Sequence, residues 1–296
     1  HRVALFDAML SEGTHEWAAT LDSHQPKYAV LFEDNFNYLS KMSLLRMREA
    51  AFEMIGMAKA RGCIVITCGA DMTDHADRYL ERGADFVLVG EGEETLGELI
   101  GYLENPHPLT PSPLHREGGK NDSELYKIQG LAYRHEGRVV KTPPRPVIRD
   151  LDTLPFPAWD LVDRDKYRRV WLEHHGYYSM NLVTTRGCPF HCNWCAKPIW
   201  GQKYNVRSPQ NVVAEMKWLQ DRFQPDHIWF MDDIMGIQDR CIEQFADELD
   251  AAGVHIPFKS LNRVDLLLRG QTIPALARAG AKIVWVGAES GSQKIL

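Results

Sequence analysis

Short apolar runs alternate with amphipathic stretches along the first third of the chain. "RVALFDAM", "KYAVLFED", "CIVITCGA" and "DFVLVGEG" each have the length and β-branched content of a strand, and each is apolar throughout, as strands covered on both faces are. Between the second and third, "KMSLLRMREAAFEMIGMAKARG" repeats its apolar residues at helical spacing and closes on glycine. This alternation predicts βαβ units around a Rossmann-like parallel sheet over residues 1–103. Polar or glycine-bearing residues follow the strands: Glu33, Asp34 and Asn35, then Gly69 and Ala70, then Gly90, Glu91, Gly92 and Glu93. In open α/β sheets such carboxyl-end loops form the ligand crevice, so this is read as a binding domain.

"ENPHPLTPSPLHREGGKND" has no apolar period and is rich in Pro, Gly and charge, which predicts an insert or linker. "GLAYRHEGRVVKTP" reads as two strands about a Glu-Gly turn, and "RDLDTLPFPAWDL" as a proline-stiffened connector, so 104–175 separates two domains. From about Tyr177 the alternation resumes over 176–296. "YSMNLVTT", "HIWFMDD", "PFKSLNRVD" and "KIVWVGAES" are predicted strands. "SPQNVVAEMKWLQDRF", "QDRCIEQFADELDAAG" and "TIPALARAG" are predicted helices, the first opened by Ser208 as N-cap and Pro209 in the first turn. Trp218, Trp229 and Trp285 follow these periods and are expected in the core, as are the thiols of Cys63, Cys68 and Cys241. The chain opens at "HRVALFDAML" and stops just after a buried-looking strand, and is expected to be a fragment at both ends.

Composition narrows the function classes. At 296 residues, 44% hydrophobic and 25% charged, the chain is a folded globular type rather than a disordered one. A formal charge of −6 with no dense basic tract argues against a nucleic-acid surface. No apolar run approaches the roughly 20 residues a membrane-spanning helix needs, and no signal pattern opens the chain, which together predict a cytoplasmic protein. There cysteines stay reduced, so a tight cluster of them points to metal binding or catalysis before disulfides.

Such a cluster exists. "TTRGCPFHCNWCAKP" places Cys188, Cys192 and Cys195, half of the six cysteines, in one short loop after a strand. Three converging thiolates suit a metal or cluster and leave one coordination position open, as catalytic sites do. Two alternatives stand beside this: a structural zinc completed by His191, and a redox pair of Cys192 and Cys195. Elsewhere "GEGEET" lacks the third glycine of a dinucleotide fingerprint and carries three glutamates that would repel a pyrophosphate, which disfavours a dehydrogenase.

The C-x3-C-x2-C spacing, with Trp194 directly before the third cysteine, resembles the cluster loop of radical S-adenosylmethionine (SAM) enzymes. "FMDDIMG", "NRVD" and "GAESGS" are similar to that family's barrel-strand motifs. With its preceding α/β domain the chain resembles the subgroup with an N-terminal cobalamin-binding domain, which includes the anaerobic magnesium-protoporphyrin ester cyclase and cobalamin-dependent radical methyltransferases. The likeness extends over nearly all the chain outside the proline-rich insert.

The resemblance implies a partial (β/α) barrel with about four of six strands present. It also implies a 4Fe-4S cluster on Cys188, Cys192 and Cys195, whose open iron chelates SAM, and reductive cleavage of SAM to a 5′-deoxyadenosyl radical. Around the SAM, Trp194 would stack on adenine, Glu289 and Ser290 would accept from the ribose, Asp232 or Asp233 would accept from the ammonium, and Arg263 would pair with the carboxylate. Strand-end capping for Asp232 and Asp233, and an ion pair with Asp265 for Arg263, are the structural alternatives.

Cobalamin, if bound, would face Asp34, Asn35, Gly69, Ala70, Gly90, Glu91 and Gly92. The D-x-H-x-x-G motif of many cobalamin domains is not matched: "DSHQPK" has Asp22 and His24 but Lys27 in place of glycine, so His24 is read as a surface residue, and "DHAD" at 74–77 as a solvated helix face. The implied activity is methyl transfer or oxidative cyclisation at an unactivated carbon of a small or lipid-like substrate, with flavodoxin or ferredoxin as electron donor. The alternatives are a radical enzyme without bound cobalamin and a zinc-stabilised, non-catalytic binding protein.

Overall fold

The computed structural model describes residues 2–33, 43–104, 122–192, 195, 199–238, 240–288 and 290–294. These fall into two compact units: His1–Ile148 with Trp194–Trp200, and Arg149–Asn193 with Gly201–Leu296.

The first unit is built on a five-stranded sheet in the order β1-β2-β3-β4-β5. Strands β1 (Tyr28–Phe32), β2 (Ile64–Cys68) and β3 (Phe86–Leu88) are parallel, as their apolar runs predict. The sheet is completed by an antiparallel hairpin, β4 (Leu131–His135) and β5 (Arg138–Lys141), laid against β3. Glu136 and Gly137 turn the hairpin with positive φ of 47° and 75°, the geometry the Glu-Gly pair anticipates. Alternate residues face opposite sides. Ala29, Leu31, Val65 and Val87 pack under α1 (Thr14–His24), α2 (Leu44–Ala60), α3 (Ala70–Asp74) and α4 (Ala76–Glu81). Ile66, Cys68, Phe86 and Leu88 pack under α5 (Glu93–Glu104). A short α6 (Asp122–Leu125) precedes β4.

One predicted strand is absent. "RVALFDAM" has no ladder partner; it ends in a 3-10 turn at Ala8–Leu10, capped by the Asp7 carboxylate accepting from the Met9 amide. Val3 and Leu5 stay exposed, and only Phe6 docks, 5.3 Å from the Trp17 ring. The segment stays out of the sheet although β1 is an outermost strand paired only to β2 among the described residues, so apolar content alone does not make a strand.

In the second unit a helix, α7 (Arg164–His175), precedes a four-stranded, all-parallel sheet in the order β11-β10-β9-β6. Its strands are β6 (Ser179–Leu182), β9 (His227–Phe230), β10 (Phe258–Asn262) and β11 (Ala281–Val286). The helices α8 (Pro209–Arg222), α9 (Cys241–Ala252) and α11 (Thr272–Ala279), with the single turn α10 (Val264–Leu267), alternate with these strands. Ser208 caps α8 as its sequence predicts, its Oγ accepting from the Asn211 amide at 3.1 Å. Met180, Ile228, Phe230 and Phe258 from the sheet meet Met216, Phe245, Leu249 and Leu276 from the helices in one continuous core. Phe258 and Ile228 are fully buried, so truncating either to Ala would cost about 2–5 kcal/mol.

The opposite face of this sheet is not core. Trp285 is 46% exposed and Ile283 45% exposed, which corrects the assignment of Trp285 to the interior. Trp218 and Trp229 are partly buried, and Cys241 is half-buried rather than enclosed.

Candidate functional site

The cysteine segment and the loops predicted to bind SAM leave the carboxyl ends of the second unit's parallel strands. β6 runs into β7 (Thr185–Arg186), which pairs with β8 (Asn205–Val206) across the base of the cysteine segment: Thr185 lies opposite Val206 and Arg186 opposite Asn205. Gly187, with φ of +82°, turns the chain directly before Cys188. Cys188 is half-buried, Cys192 and Cys195 are exposed, and none is in a disulfide. Trp194 lies outside the described residues. Phe190 is half-buried and stacks under the Arg263 guanidinium, whose carbon is 3.9 Å from the ring centroid, so the loops of β6 and β10 touch.

Asp232 follows β9 and is only 3% exposed. Its Oδ1 accepts from the Thr184 amide at 2.6 Å and the Thr185 amide at 2.9 Å, and its Oδ2 accepts from the Thr184 hydroxyl. Burial pushes the carboxyl up to about 6, against the pull of those donors. Both oxygens are therefore engaged by Thr184 and Thr185, Oδ1 by their amides and Oδ2 by the Thr184 hydroxyl, at the start of the cysteine segment. Asp232 is not placed to accept from a SAM ammonium; it holds the root of the loop. Asp233, its half-buried neighbour, remains the acceptor candidate at this position.

Arg207, at the return end of the segment, is fixed in the same manner. It donates to the Val183 carbonyl at 2.9 Å and to the Asn211 side chain at 2.7 Å, and pairs at 2.5 Å with Glu215, which is 2% exposed. Burial raises the Glu215 carboxyl while the guanidinium lowers it.

Arg263 pairs with Asp265 at 2.9 Å, the structural alternative foreseen for it, while its face covers Phe190. Ser290 is half-buried and its Oγ accepts from the Ser292 amide at 3.0 Å; Glu289 lies outside the described residues. Among the described residues no group of three or more His, Cys, Asp or Glu side chains is placed to hold a metal ion. The donor set fits an iron-sulfur cluster by ligand chemistry, three soft thiols with two open to solvent. A cleft of about 460 Å³ in the same unit, lined by Arg149, Asp152, Arg207, Ser208, Cys241 and Gln244, contains none of the predicted ligands.

In the first unit the carboxyl ends of β1, β2 and β3 are packed tightly. A Cβ on Gly92 would meet Cys68 Sγ at 2.4 Å and Phe32 at 3.0 Å, and one on Gly69 would meet Glu33 Oε2 at 2.4 Å. Ala70 opens α3, and the Gly90 amide donates to Thr73 Oγ1 at 3.0 Å. Glu91 is buried, its two oxygens accepting from the Ile148 amide and, at 2.9 Å, from the Trp200 indole, so it is a clip within this unit and not a ligand. No motif in the chain signals this use. Asp34 and Asn35 lie outside the described residues. His24 is exposed at the end of α1, as predicted; of "DHAD", Asp74 and Asp77 are exposed but His75 is half-buried and Ala76 fully buried where α3 gives way to α4, so the stretch is not one solvated helix face.

Comparison with known proteins follows the same lines. No family model matches the chain. It is 29% identical over 213 residues to an uncharacterized methyltransferase of Pyrococcus horikoshii, matching 72% of this chain and 42% of that one. It is 27% identical over 236 residues to the anaerobic magnesium-protoporphyrin IX monomethyl ester cyclase of Synechocystis, matching 79% and 43%. It is 29% identical over 240 residues to the cytidylyl-2-hydroxyethylphosphonate methyltransferase of Streptomyces wedmorensis, matching 72% and 41%. Its fold is similar to that of the radical SAM methyltransferase TsrM of Kitasatospora setae, with a TM-score of 0.71 and 17% identity over 95% of this chain and 52% of that one. That protein has been solved with tryptophan substrate and a SAM analogue, and with cobalamin and a [4Fe-4S] cluster. The chain spans about half the length of these relatives or less.

Proposed function

Because the chain is a sequence relative of anaerobic cyclases and methyltransferases and has the fold of a radical SAM methyltransferase, we propose that it is part of a cobalamin-dependent radical SAM enzyme. It acts at an unactivated carbon by methyl transfer or oxidative cyclisation. The observation that carries this reading is the C-x3-C-x2-C segment, anchored at its root by Asp232 and leaving the carboxyl end of β6 in an all-parallel sheet.

Cys188, Cys192 and Cys195 would hold the 4Fe-4S cluster. When bound, that cluster supplies the electron that breaks the sulfonium bond of SAM, and it draws on an external donor such as flavodoxin or ferredoxin. Asp233, Arg263 and Ser290, with Trp194 and Glu289, would bind the SAM. Arg263 is held by Phe190 and Asp265, so its charge is already oriented at the end of β10. Asp232 keeps Thr184 and Thr185 in place and thereby fixes where Cys188 starts. Cobalamin would lie over the glycine-lined strand ends of the first unit, at Gly69, Ala70, Gly90 and Gly92 with Asp34 and Asn35.

The test is anaerobic reconstitution of the intact protein, with counting of iron, sulfide and zinc, corrinoid absorbance, and assay of SAM cleavage under reductant. About four irons per chain, with cleavage lost in Cys192→Ala, is the expected result. Zinc without iron, or no cleavage by the intact protein, refutes the reading.

A further inference from the structure

The face of the second sheet turned away from its helices carries a buried lysine and a buried histidine that the proposed chemistry does not use. Alternation along β10 puts Phe258 in the helix-side core and Lys259 on the other face, beside Trp229 in β9 and Ile283 in β11. Lys259 is 9% exposed. Its Nζ sits 3.3 Å from the Trp229 ring centroid and 5.2 Å from that of Trp285, in the corner formed by the two indoles, which meet edge to face at 5.7 Å. One strand over, His227 is 7% exposed; its Nδ1 is hydrogen-bonded to Ser179 Oγ at 2.9 Å, and its Nε2 is buried with no hydrogen-bond partner. Tyr177 closes that side, its ring 5.3 Å from the imidazole.

Among the described residues no carboxylate pairs with Lys259 or His227. A buried ammonium with no counter-charge and a buried ring nitrogen with no partner are each costly, and native interiors rarely keep both. Burial lowers the Lys259 ammonium, and burial followed by the Lys259 charge pulls His227 down to about 4, so the imidazole is neutral near pH 7. In the tautomer where Ser179 Oγ donates to Nδ1, Nε2 carries the ring proton and is a donor. In that tautomer two donors lie on one face of the sheet with no acceptor among the described residues, and Trp285 and Ile283 beside Lys259 form an exposed apolar shelf.

We infer that this face binds an organic acid bearing a planar ring, with its carboxylate between Lys259 Nζ and His227 Nε2 and its ring on Trp285. The anion supplies the missing charge, the indoles supply stacking area, and an uncharged analogue loses the first while keeping the second. As the site of the substrate this rests on the proposed radical chemistry; as a binding site it does not.

The experiment is calorimetric titration of the intact protein, without iron, SAM or reductant, using 2-naphthoate and 9-anthroate and their primary amides as probes. At least one acid is expected to bind about tenfold or more tighter than its amide. Lys259→Met, whose side chain suits a buried position, should erase that preference while leaving the circular dichroism spectrum unchanged, and Lys259→Arg should retain part of it. Trp285→Leu should weaken acid and amide equally. Equal binding of acids and amides, a preference that survives in Lys259→Met, or no binding of either acid overturns the inference. Any of these can occur with SAM cleavage intact, and loss of SAM cleavage can occur with binding intact, so the two readings fail separately.

Discussion

Asp232→Asn separates a loop-holding aspartate from a ligand-binding one. Burial raises the carboxyl from 3.8 to about 6, which at neutral pH corresponds to a cost of about 3 kcal/mol for keeping the group ionised. Because the folded-state value lies above the unfolded one, this group contributes most to stability below about pH 4, and that contribution falls as pH rises through about 6. Asparagine is nearly isosteric: its carbonyl can accept from the Thr184 and Thr185 amides and its amide can donate to the Thr184 hydroxyl. It carries no charge to bury. The variant therefore loses about half the strength of its charge-assisted bonds and gains relief of up to about 3 kcal/mol at pH 7. Urea unfolding of wild type and Asp232→Asn at pH 4.5 and 7 gives the difference directly, with other titrating groups cancelling. The difference should shift in favour of the variant by about 1–3 kcal/mol between the two pH values. Asp232→Ala, which leaves two amides unpaired, should cost about 2–5 kcal/mol at either pH. If wild type instead gains on the variant as pH rises, the ionised carboxylate is stabilising and the reasoning fails.

Other consequences can be measured on the same protein. Glu215→Ala leaves Arg207, 11% exposed, without its carboxylate, and should destabilise by about 3–5 kcal/mol in thermal or urea unfolding. Trp200→Phe removes the indole donor from the buried Glu91 and should cost about 1–3 kcal/mol, whereas Trp17→Phe, which loses an indole bond to the Met54 carbonyl, tests the same type of loss away from the clip. Burial, followed by the nearby Glu93 and Glu33, pushes the Cys68 thiol up to about 12, so at pH 8 about one part in ten thousand is thiolate. Alkylation followed by mass spectrometry should label the exposed Cys192 first and Cys68 last; early labelling of Cys68 in folded protein would contradict its assigned burial.

Most of the scaffold could be read from apolar periodicity because its strands are covered by helices. β2 and β3 are buried along their length, and α8 begins at the serine its sequence marks as a cap. Reading failed where covering failed. "RVALFDAM" is as apolar as β1 but finds no ladder, and Trp285 sits at a strand period on a face that no helix among the described residues covers. The site was legible at the level of segments and less so at the level of atoms. Cys188, Cys192 and Cys195 announce themselves by spacing, and Asp232 by its place at a strand end, but which oxygen meets which amide depends on two chain segments nearly fifty residues apart in sequence. Glu91 looked like a crevice residue because glycines flank it; its partner, Trp200, is 109 positions away. Lys259 offered one signal, a lysine inside an otherwise buried strand, and its meaning required the neighbouring strands.

The hairpin that completes the first sheet also bears on how that sheet assembles. β1, β2 and β3 are parallel, so each pairing must wait for a long crossover to close, whereas β4 and β5 are joined by a two-residue turn and can zip within microseconds. Formed early, the hairpin offers a ready template edge on which β3 can dock. Once docked, it leaves β5 outermost, a strand of four residues with Arg138 and Lys141 exposed at its two ends. A short edge flanked by cations is a poor seed for pairing with another molecule, so the element that speeds assembly also guards the nascent protein against aggregation.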